Sequence, residues 1–215
     1  MAKLSTIPRN QYDPMSSSAR VAAQRWQIFS CIVMIPFMAI SGRGINFEFE
    51  SSDMPDDVSY LVASNHQSQL DSFVQLSALY TAFANKLLPF RAMTHNGVLH
   101  GGALTKYLLG MGCFPSKPHK QLPYGIDLAV KLLEDGQTVF ICPEGRRSLT
   151  KATAPRPGVA VLANVPSVMI LPAHIQWTRP NKFLRTFKLT FGKPFNGSGM
   201  TAEEIMDKIY ALELP

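Results

Sequence analysis

Two side chains that can move a proton lie five residues apart in the segment SNHQSQLD, which follows the apolar run VSYLVAS. They are His66 and Asp71. A carboxylate beside an imidazole fixes the imidazole tautomer and stabilises the imidazolium that forms when the ring accepts a proton. The unperturbed pKa of histidine, about 6.5, suits a general base near neutral pH. The residue types therefore favour His66 as a base and Asp71 as its orienting partner.

The same spacing has a simpler interpretation, in which His66 caps a helix and Asp71 is a surface acid. Positions i and i+5 of a regular helix point about 140° apart. The two side chains can meet only if His66 lies in the loop before the helix and folds back. By spacing alone, both interpretations stay open.

A second polar cluster, PEGRRS, follows the apolar run QTVFIC. Arg146 and Arg147 carry guanidinium groups, whose planar forks match phosphate oxygens. Glu144 can orient these arginines or accept a hydrogen bond from a substrate hydroxyl. The alternative is an exposed turn with an internal ion pair. Together the two segments predict a base after one strand and a phosphate-binding cluster after another.

The surrounding pattern predicts one α/β domain, because strand-like and helix-like segments alternate. Strands are predicted at 45–50, 58–64 and 137–142, within 165–177 and within 187–195. Helices are predicted at 71–80, 101–112, 123–136 and 201–213, with Ser64 or Asn65 capping the first of them and Thr201 the last. We expect a central mixed sheet flanked by helices, formed by residues 43–215. Ligands collect where strands of such sheets end and helices begin.

Residues 1–42 are predicted to form a basic and hydrophobic membrane-associating segment. Residues 26–40 (WQIFSCIVMIPFMAI) carry no charge, and Arg20 and Arg25 precede them. A membrane-spanning helix needs about 20 apolar residues, so this run, with Pro36 inside it, favours a helix in the membrane interface. A full span and an ordinary core helix are the alternatives. The long polar leader is not typical of a signal peptide.

Charge and cysteine content narrow the class of protein. No acid occurs between Gly145 and Ala202, whereas nine bases lie between Arg146 and Lys193. Such a stretch indicates a polyanionic partner, either nucleic acid or anionic lipid. No nucleic-acid-binding motif is present, and a nucleic-acid binder would leave the apolar run unexplained. The three cysteines show no metal-site or disulfide spacing, so reduced, buried thiols are expected.

The motifs resemble those of the glycerolipid acyltransferases, which acylate glycerol-3-phosphate and lysophosphatidic acid. SNHQSQLD resembles the NHxSxxD block of that family, CPEGRRS its FPEGTRS block, and VPSVMILPAHI its later block, which ends in a proline. Their order and separations also fit. GMGCFPSK, RPGVA and FGKPF are similar to further family segments, so the resemblance extends over about residues 42–212.

The resemblance implies a role for each matching position. His66 is expected to be the general base and Asp71 its partner. The acceptor phosphate is expected to bind the second motif and one basic residue before it, namely Glu144, Gly145, Arg146, Arg147, Ser148 and Lys117. Two positions depart from the family: Arg146 replaces a threonine, and Lys117 is nearest to the place of an arginine. Lysine carries a point charge and not the planar fork of arginine. The motifs therefore define the type of reaction better than the identity of the acceptor.

The implied reaction is direct transfer of a fatty acyl chain from acyl-CoA or acyl-carrier protein to the hydroxyl of a lysophospholipid, 1-acylglycerol-3-phosphate above all. Backbone amides near His66 are expected to stabilise the oxyanion. No cofactor, metal or nucleic acid is expected. The expected location is the cytoplasmic face of a membrane, which in a bacterium is the inner membrane. Lyso-ornithine lipid as the acceptor and a catalytically silent lipid-binding protein are the alternatives. A serine hydrolase is disfavoured because no G-x-S-x-G turn is present.

Overall fold

The computed structural model describes residues 15–40, 43–51, 53–99, 102–116, 125–147, 153–178 and 185–212. Two predicted phosphate-binding residues, Lys117 and Ser148, lie outside these ranges. The predicted boundary between residues 42 and 43 stays a prediction, because residues 41 and 42 lie outside them as well.

Strands and helices alternate along most of the chain. The strands are β1 (Arg43–Phe49), β2 (Ser59–Ser64), β3 (Phe90–Thr94), β4 (Phe114–Pro115), β5 (Thr138–Ile141), β6 (Val168–Thr178) and β7 (Arg185–Phe191). The helices are α1 (Ser17–Ile40), α2 (Asp71–Leu87), α3 (Gly102–Gly110), α4 (Ile126–Glu134), α5 (Gly158–Ala163) and α6 (Ala202–Tyr210), with a 3₁₀ turn at Asn96–Val98.

One seven-stranded sheet joins all of these strands in the order β1-β7-β6-β2-β5-β3-β4. Only the β6–β7 pair is antiparallel among the described pairs, so the predicted mixed sheet is confirmed. β2 lies between β5 and β6 and runs parallel to both. Because Ala63 lies opposite Ile141, the segments that follow β2 and β5 leave the sheet side by side at the same edge.

Helices cover both faces of the sheet, as predicted. β2 is buried throughout, and its side chains alternate between two apolar clusters, with Val62 in one and Leu61 in the other. The first cluster includes Cys31 of α1 and Leu79 of α2. The second contains side chains of α4, α5 and α6, among them Leu132, Leu162 and Ile205. A strand buried on both faces reads as a continuous apolar run, which explains why VSYLVAS was recognisable.

Helix α1 begins at Ser17, well before the apolar window predicted from Trp26. Its inner side is fixed by Gln27, which is fully buried. The Gln27 amide donates to the carbonyls of Phe90 and Met111 at 2.6 Å each and accepts from the Phe90 amide at 3.0 Å. The outer side is apolar and exposed, with Phe29, Ile32, Phe37 and Ile40 each more than half accessible.

By length and mean hydropathy (1.3), the part of α1 from Ser17 to Met38 could cross a membrane, and 28% of it is buried in the protein. Core helices and signal sequences meet the same criterion, so the helix alone is weak support for a membrane location.

Four elements were not predicted from the sequence: β3, β4, α5 and the 3₁₀ turn at Asn96–Val98. The capping prediction for α2 was wrong, since its cap position is Leu70, without a side-chain bond. The prediction for α6 is confirmed, because the Thr201 hydroxyl accepts from the Glu204 amide in a reciprocal capping box. The side-chain amide of Asn65 instead bonds the backbone of Ile175, far along the chain.

Candidate active site

Asn65 fixes the start of the loop between β2 and α2, residues 65–70 (the His66 loop). Its side-chain amide donates to the Ile175 carbonyl at 2.8 Å and accepts from the Ile175 amide at 2.7 Å. This contact exists because β6 continues beyond its last pairing with β2, at Ala173. A fully buried side chain thus ties the loop to the neighbouring strand as a backbone pair would.

Within this loop, the imidazole of His66 folds back onto Asp71, the first residue of α2. His66 Nδ1 lies 2.8 Å from Asp71 Oδ2. The same oxygen accepts the backbone amides of Gln67 at 2.7 Å and Ser68 at 2.8 Å. The Asp71 side chain is 1% exposed, so it is not a surface acid, and the loop geometry that the pair requires is present.

The contact with Asp71 determines which imidazole nitrogen can react. A carboxylate is an acceptor, so the proton of the neutral ring lies on Nδ1 and Nε2 keeps its lone pair. The His66 side chain is 26% exposed. The pair can therefore accept a proton at Nε2 while Asp71 holds the ring and stabilises the imidazolium.

Glu144 supports the loop from the other side. It is 2% exposed. Its Oε2 accepts the backbone amide of His66 at 2.9 Å, and its Oε1 accepts the hydroxyl of Tyr210 at 2.9 Å. The glutamate of the second motif is thus directed toward the His66 loop, and not displayed in an exposed turn.

Three successive amides of the loop, those of His66, Gln67 and Ser68, donate to carboxylates. The expectation that amides near His66 stabilise the oxyanion is therefore wrong for these three. The physical reason is that two buried carboxylates need donors, and the nearest donors are the loop amides.

Cys142, directly after β5, lies close to both carboxylates. Burial raises the pKa of its thiol well above the usual value, and the charges of Asp71 and Glu144 raise it further. The thiol lies 3.9 Å from the Asn65 carbonyl oxygen. A protonated thiol is a poor nucleophile, so this environment does not activate Cys142.

The segment after Glu144 forms an exposed turn with a positive φ (62°) at Gly145. Arg146 and Arg147 are exposed. Arg146 Nε donates a hydrogen bond to the Thr153 hydroxyl at 3.3 Å. The guanidinium of Arg156 packs so closely over Gly145 that a Cβ there would overlap it. Backbone pairing of the Arg156 amide with the Pro143 carbonyl, at 2.8 Å, holds this arrangement. We call Arg146, Arg147 and Arg156 the arginine turn.

The structure thus places His66, Asp71 and Glu144 in one hydrogen-bonded group and the arginine turn next to it along the chain. Sequence analysis missed Asn65, Gln67, Arg156 and Tyr210 as contributors. The side-chain oxygen Oε1 of Gln67 accepts the backbone amide of Trp177 at 2.9 Å, which ties the loop to β6 a second time. Two of the four carried a signal: Asn65 is the first residue of the block that resembles NHxSxxD, and Arg156 begins the segment RPGVA. Within the described ranges, no group of three or more His, Cys, Asp or Glu side chains could hold a metal ion.

Comparisons with known proteins identify the family and show a similar fold. The sequence model of the family described as "Acyltransferase" matches residues 46–176. Among solved structures, the chain is similar to the 1-acyl-sn-glycerophosphate (LPA) acyltransferase PlsC of Thermotoga maritima, with a TM-score of 0.56 and 16% identity over 88% of this chain and 90% of that one. At this identity the likeness concerns the fold. Curated protein sequences gave no match. Because the family match covers more than half of its length and includes His66, Asp71 and Glu144, this chain belongs to the acyltransferase family.

Proposed function

We propose that the protein is a membrane-associated O-acyltransferase that transfers a fatty acyl chain from acyl-CoA or acyl-carrier protein to the hydroxyl of a lysophospholipid, 1-acylglycerol-3-phosphate in particular. The observation that carries this proposal is the 2.8 Å contact between His66 Nδ1 and Asp71 Oδ2. This contact leaves Nε2 as the basic atom, in a loop that shares its sheet edge with the arginine turn.

In the proposed reaction, His66 Nε2 removes the proton of the acceptor hydroxyl while the oxygen attacks the thioester carbonyl. Asp71 stabilises the imidazolium that results. The tetrahedral intermediate collapses, the carbon–sulfur bond breaks, and the thiolate takes the proton from the imidazolium. The products are the ester and the free thiol, and the histidine returns to its neutral form. No acyl-enzyme is required.

The arginine turn is the proposed binding site of the acceptor phosphate. Arg146 and Arg147 are exposed and follow Glu144 directly, and Arg156 adds a third guanidinium over Gly145. Arginine binds phosphate oxygens in a bidentate manner. We include Lys117 and Ser148 as further phosphate ligands on the strength of the sequence motifs. The acceptor named for the similar T. maritima structure supports the choice of 1-acylglycerol-3-phosphate.

The proposed membrane contact is the outer face of α1. Exposed apolar side chains on a helix preceded by bases suit the membrane interface, and the cytoplasmic leaflet attracts basic residues. Gln27 supports a helix that lies on the membrane, because its bonds to Phe90 and Met111 bind the inner side of α1 to the domain. We therefore propose association with the cytoplasmic face, with no cofactor beyond the acyl donor.

The test is a product assay with purified protein. Labelled acyl-CoA and acyl-carrier protein are each offered with a panel of lysolipids that includes 1-acylglycerol-3-phosphate, lysophosphatidylcholine and lyso-ornithine lipid, and the products are identified by mass. We expect diacylated product from 1-acylglycerol-3-phosphate and at least 10²-fold slower turnover for His66→Ala. Acylation only of an acceptor without phosphate would overturn the proposed acceptor. Equal turnover by His66→Ala would overturn the mechanism.

A further inference from the structure

We infer that Tyr210 is a positioning residue for acyl transfer, and that it acts on His66 through the carboxylate of Glu144. The inference rests on the proposed function, because it assigns a support to the proposed base. Tyr210 is the last residue of α6 and lies outside the residues that match the family model. It is therefore a contribution of the C-terminal helix to a site otherwise built after β2 and β5.

The two hydrogen bonds that carry the inference share one side chain. The Tyr210 hydroxyl donates to Glu144 Oε1 at 2.9 Å, and the backbone amide of His66 donates to Glu144 Oε2 at 2.9 Å. A carboxylate is planar and rigid, so its rotation is fixed when both oxygens are held. Tyr210 thereby determines where the oxygen that holds the His66 backbone lies.

Tyr210 itself is held firmly. The capping box at Thr201 begins α6, and the inner face of the helix is buried at Ile205, Met206 and Ile209. The Tyr210 ring lies 5.7 Å, centroid to centroid, from the ring of His174 on β6. The hydroxyl therefore projects from a fixed helix and a packed ring, and is a rigid donor.

Loss of this donor should affect the histidine more than the fold. Glu144 is 2% exposed, and a buried carboxylate that loses a donor turns toward another one. Rotation of the Glu144 carboxylate moves Oε2, which accepts the His66 amide. The contact between His66 and Asp71 resists this movement. Misplacement of a catalytic group by about 1 Å can cost up to about 10²-fold in rate. Because Asp71 still holds the imidazole of His66, we expect kcat to fall only about tenfold.

The experiment compares Tyr210→Phe with Tyr60→Phe. Tyr60 is buried on β2, and its hydroxyl donates to the Pro55 carbonyl at 2.6 Å, so this control also loses one phenol hydrogen bond. We expect Tyr210→Phe to lower kcat about tenfold with both KM values within twofold of the wild type. We expect Tyr60→Phe to keep the wild-type kcat. A purely structural role for Tyr210 would give the two variants the same kcat.

A second measurement does not depend on activity. Amide hydrogen exchange of the peptide containing residues 64–70 should be faster in Tyr210→Phe than in the wild type, and unchanged in Tyr60→Phe. If exchange and kcat of Tyr210→Phe both equal those of the wild type, the inference is wrong, even where His66→Ala abolishes turnover. If His66→Ala keeps full turnover, the proposed function is wrong, and faster exchange would then assign Tyr210 only to the support of the loop.

Discussion

The His66 loop and the arginine turn follow adjacent parallel strands at one sheet edge, yet they are built in opposite ways. Asn65 in the loop is buried, and three loop amides donate to the buried carboxylates of Asp71 and Glu144. In the turn, Arg146 and Arg147 are exposed. The difference indicates that folding alone fixes the imidazole of His66, whereas in the proposed function a bound acceptor would fix the exposed guanidinium groups of Arg146 and Arg147.

The largest effect that would test this contrast is expected at Asp71. Asp71→Ala should lower turnover by at least 10²-fold, because the imidazolium loses its partner. It should also lower the free energy of unfolding by about 2–4 kcal/mol, because the amides of Gln67 and Ser68 lose their acceptor. Urea denaturation and initial-rate assays measure the two effects.

Asp71→Asn is the matched control, since its carbonyl oxygen can replace Oδ2 for all three donors. It should lose a comparable share of turnover but less stability than Asp71→Ala, because the three donors keep an acceptor. If Asp71→Ala unfolds at the same urea concentration as the wild type, Asp71 does not hold the loop.

The next effect is expected at Asn65. Asn65→Ala removes both partners of the buried Ile175 backbone, so the free energy of unfolding should fall by about 2–4 kcal/mol, and turnover should fall with it. Asn164→Ala removes bonds made at the surface and should cost about 1 kcal/mol at most. Equal unfolding midpoints for the two variants would contradict the buried pairing of Asn65.

A smaller and more selective effect is expected at Arg147. Arg147→Ala should raise the acceptor KM about tenfold, as expected for a lost charge-assisted contact, and should leave the donor KM and the stability unchanged. Lys131→Ala, an exposed base on α4, should change none of these. Steady-state kinetics with each substrate varied in turn will decide. A change confined to the donor KM would show that the arginine turn does not bind the acceptor.

The smallest effect is expected at the outer face of α1. Phe29→Ser combined with Phe37→Ser should lower partition onto anionic lipid vesicles about fivefold, since about 1 kcal/mol of apolar contact is lost. The melting temperature should not change, because the two side chains are 58% and 54% exposed. Val161→Ser, exposed on α5, is the control in the same sedimentation assay. Unchanged partition of the double variant would exclude this face from the membrane contact.

The fold was predictable from the sequence where one residue pattern decided the structure. β2 and β5 were recognisable as uniform apolar runs, and α6 by its cap at Thr201 and acidic first turn. β3 was missed because Arg91 interrupts a short apolar segment, although this side chain is 1% exposed. α5 was missed because six residues are too few to show a helical period.

The site was predictable only through its motif residues. His66, Asp71 and Glu144 lie near one another because adjacent strands end together. The order and spacing of the two motifs indicated that these residues belong to one site. Asn65 was interpreted as a helix cap, because a short-range role is all that local sequence indicates. Its actual partner, Ile175, is 110 positions away. Tyr210 is 66 positions from Glu144 and carries no local signal of its role.

Gln27 has a consequence for how the chain is made. Its backbone partners, Phe90 and Met111, lie 63 and 84 positions later in the chain. During synthesis α1 therefore emerges from the ribosome long before the strand and the turn that satisfy its inner side. Until Phe90 and Met111 have been translated, the Gln27 side chain lacks the backbone groups that it bonds in the folded protein. The helix α1 is thus translated well before the backbone groups onto which Gln27 docks it.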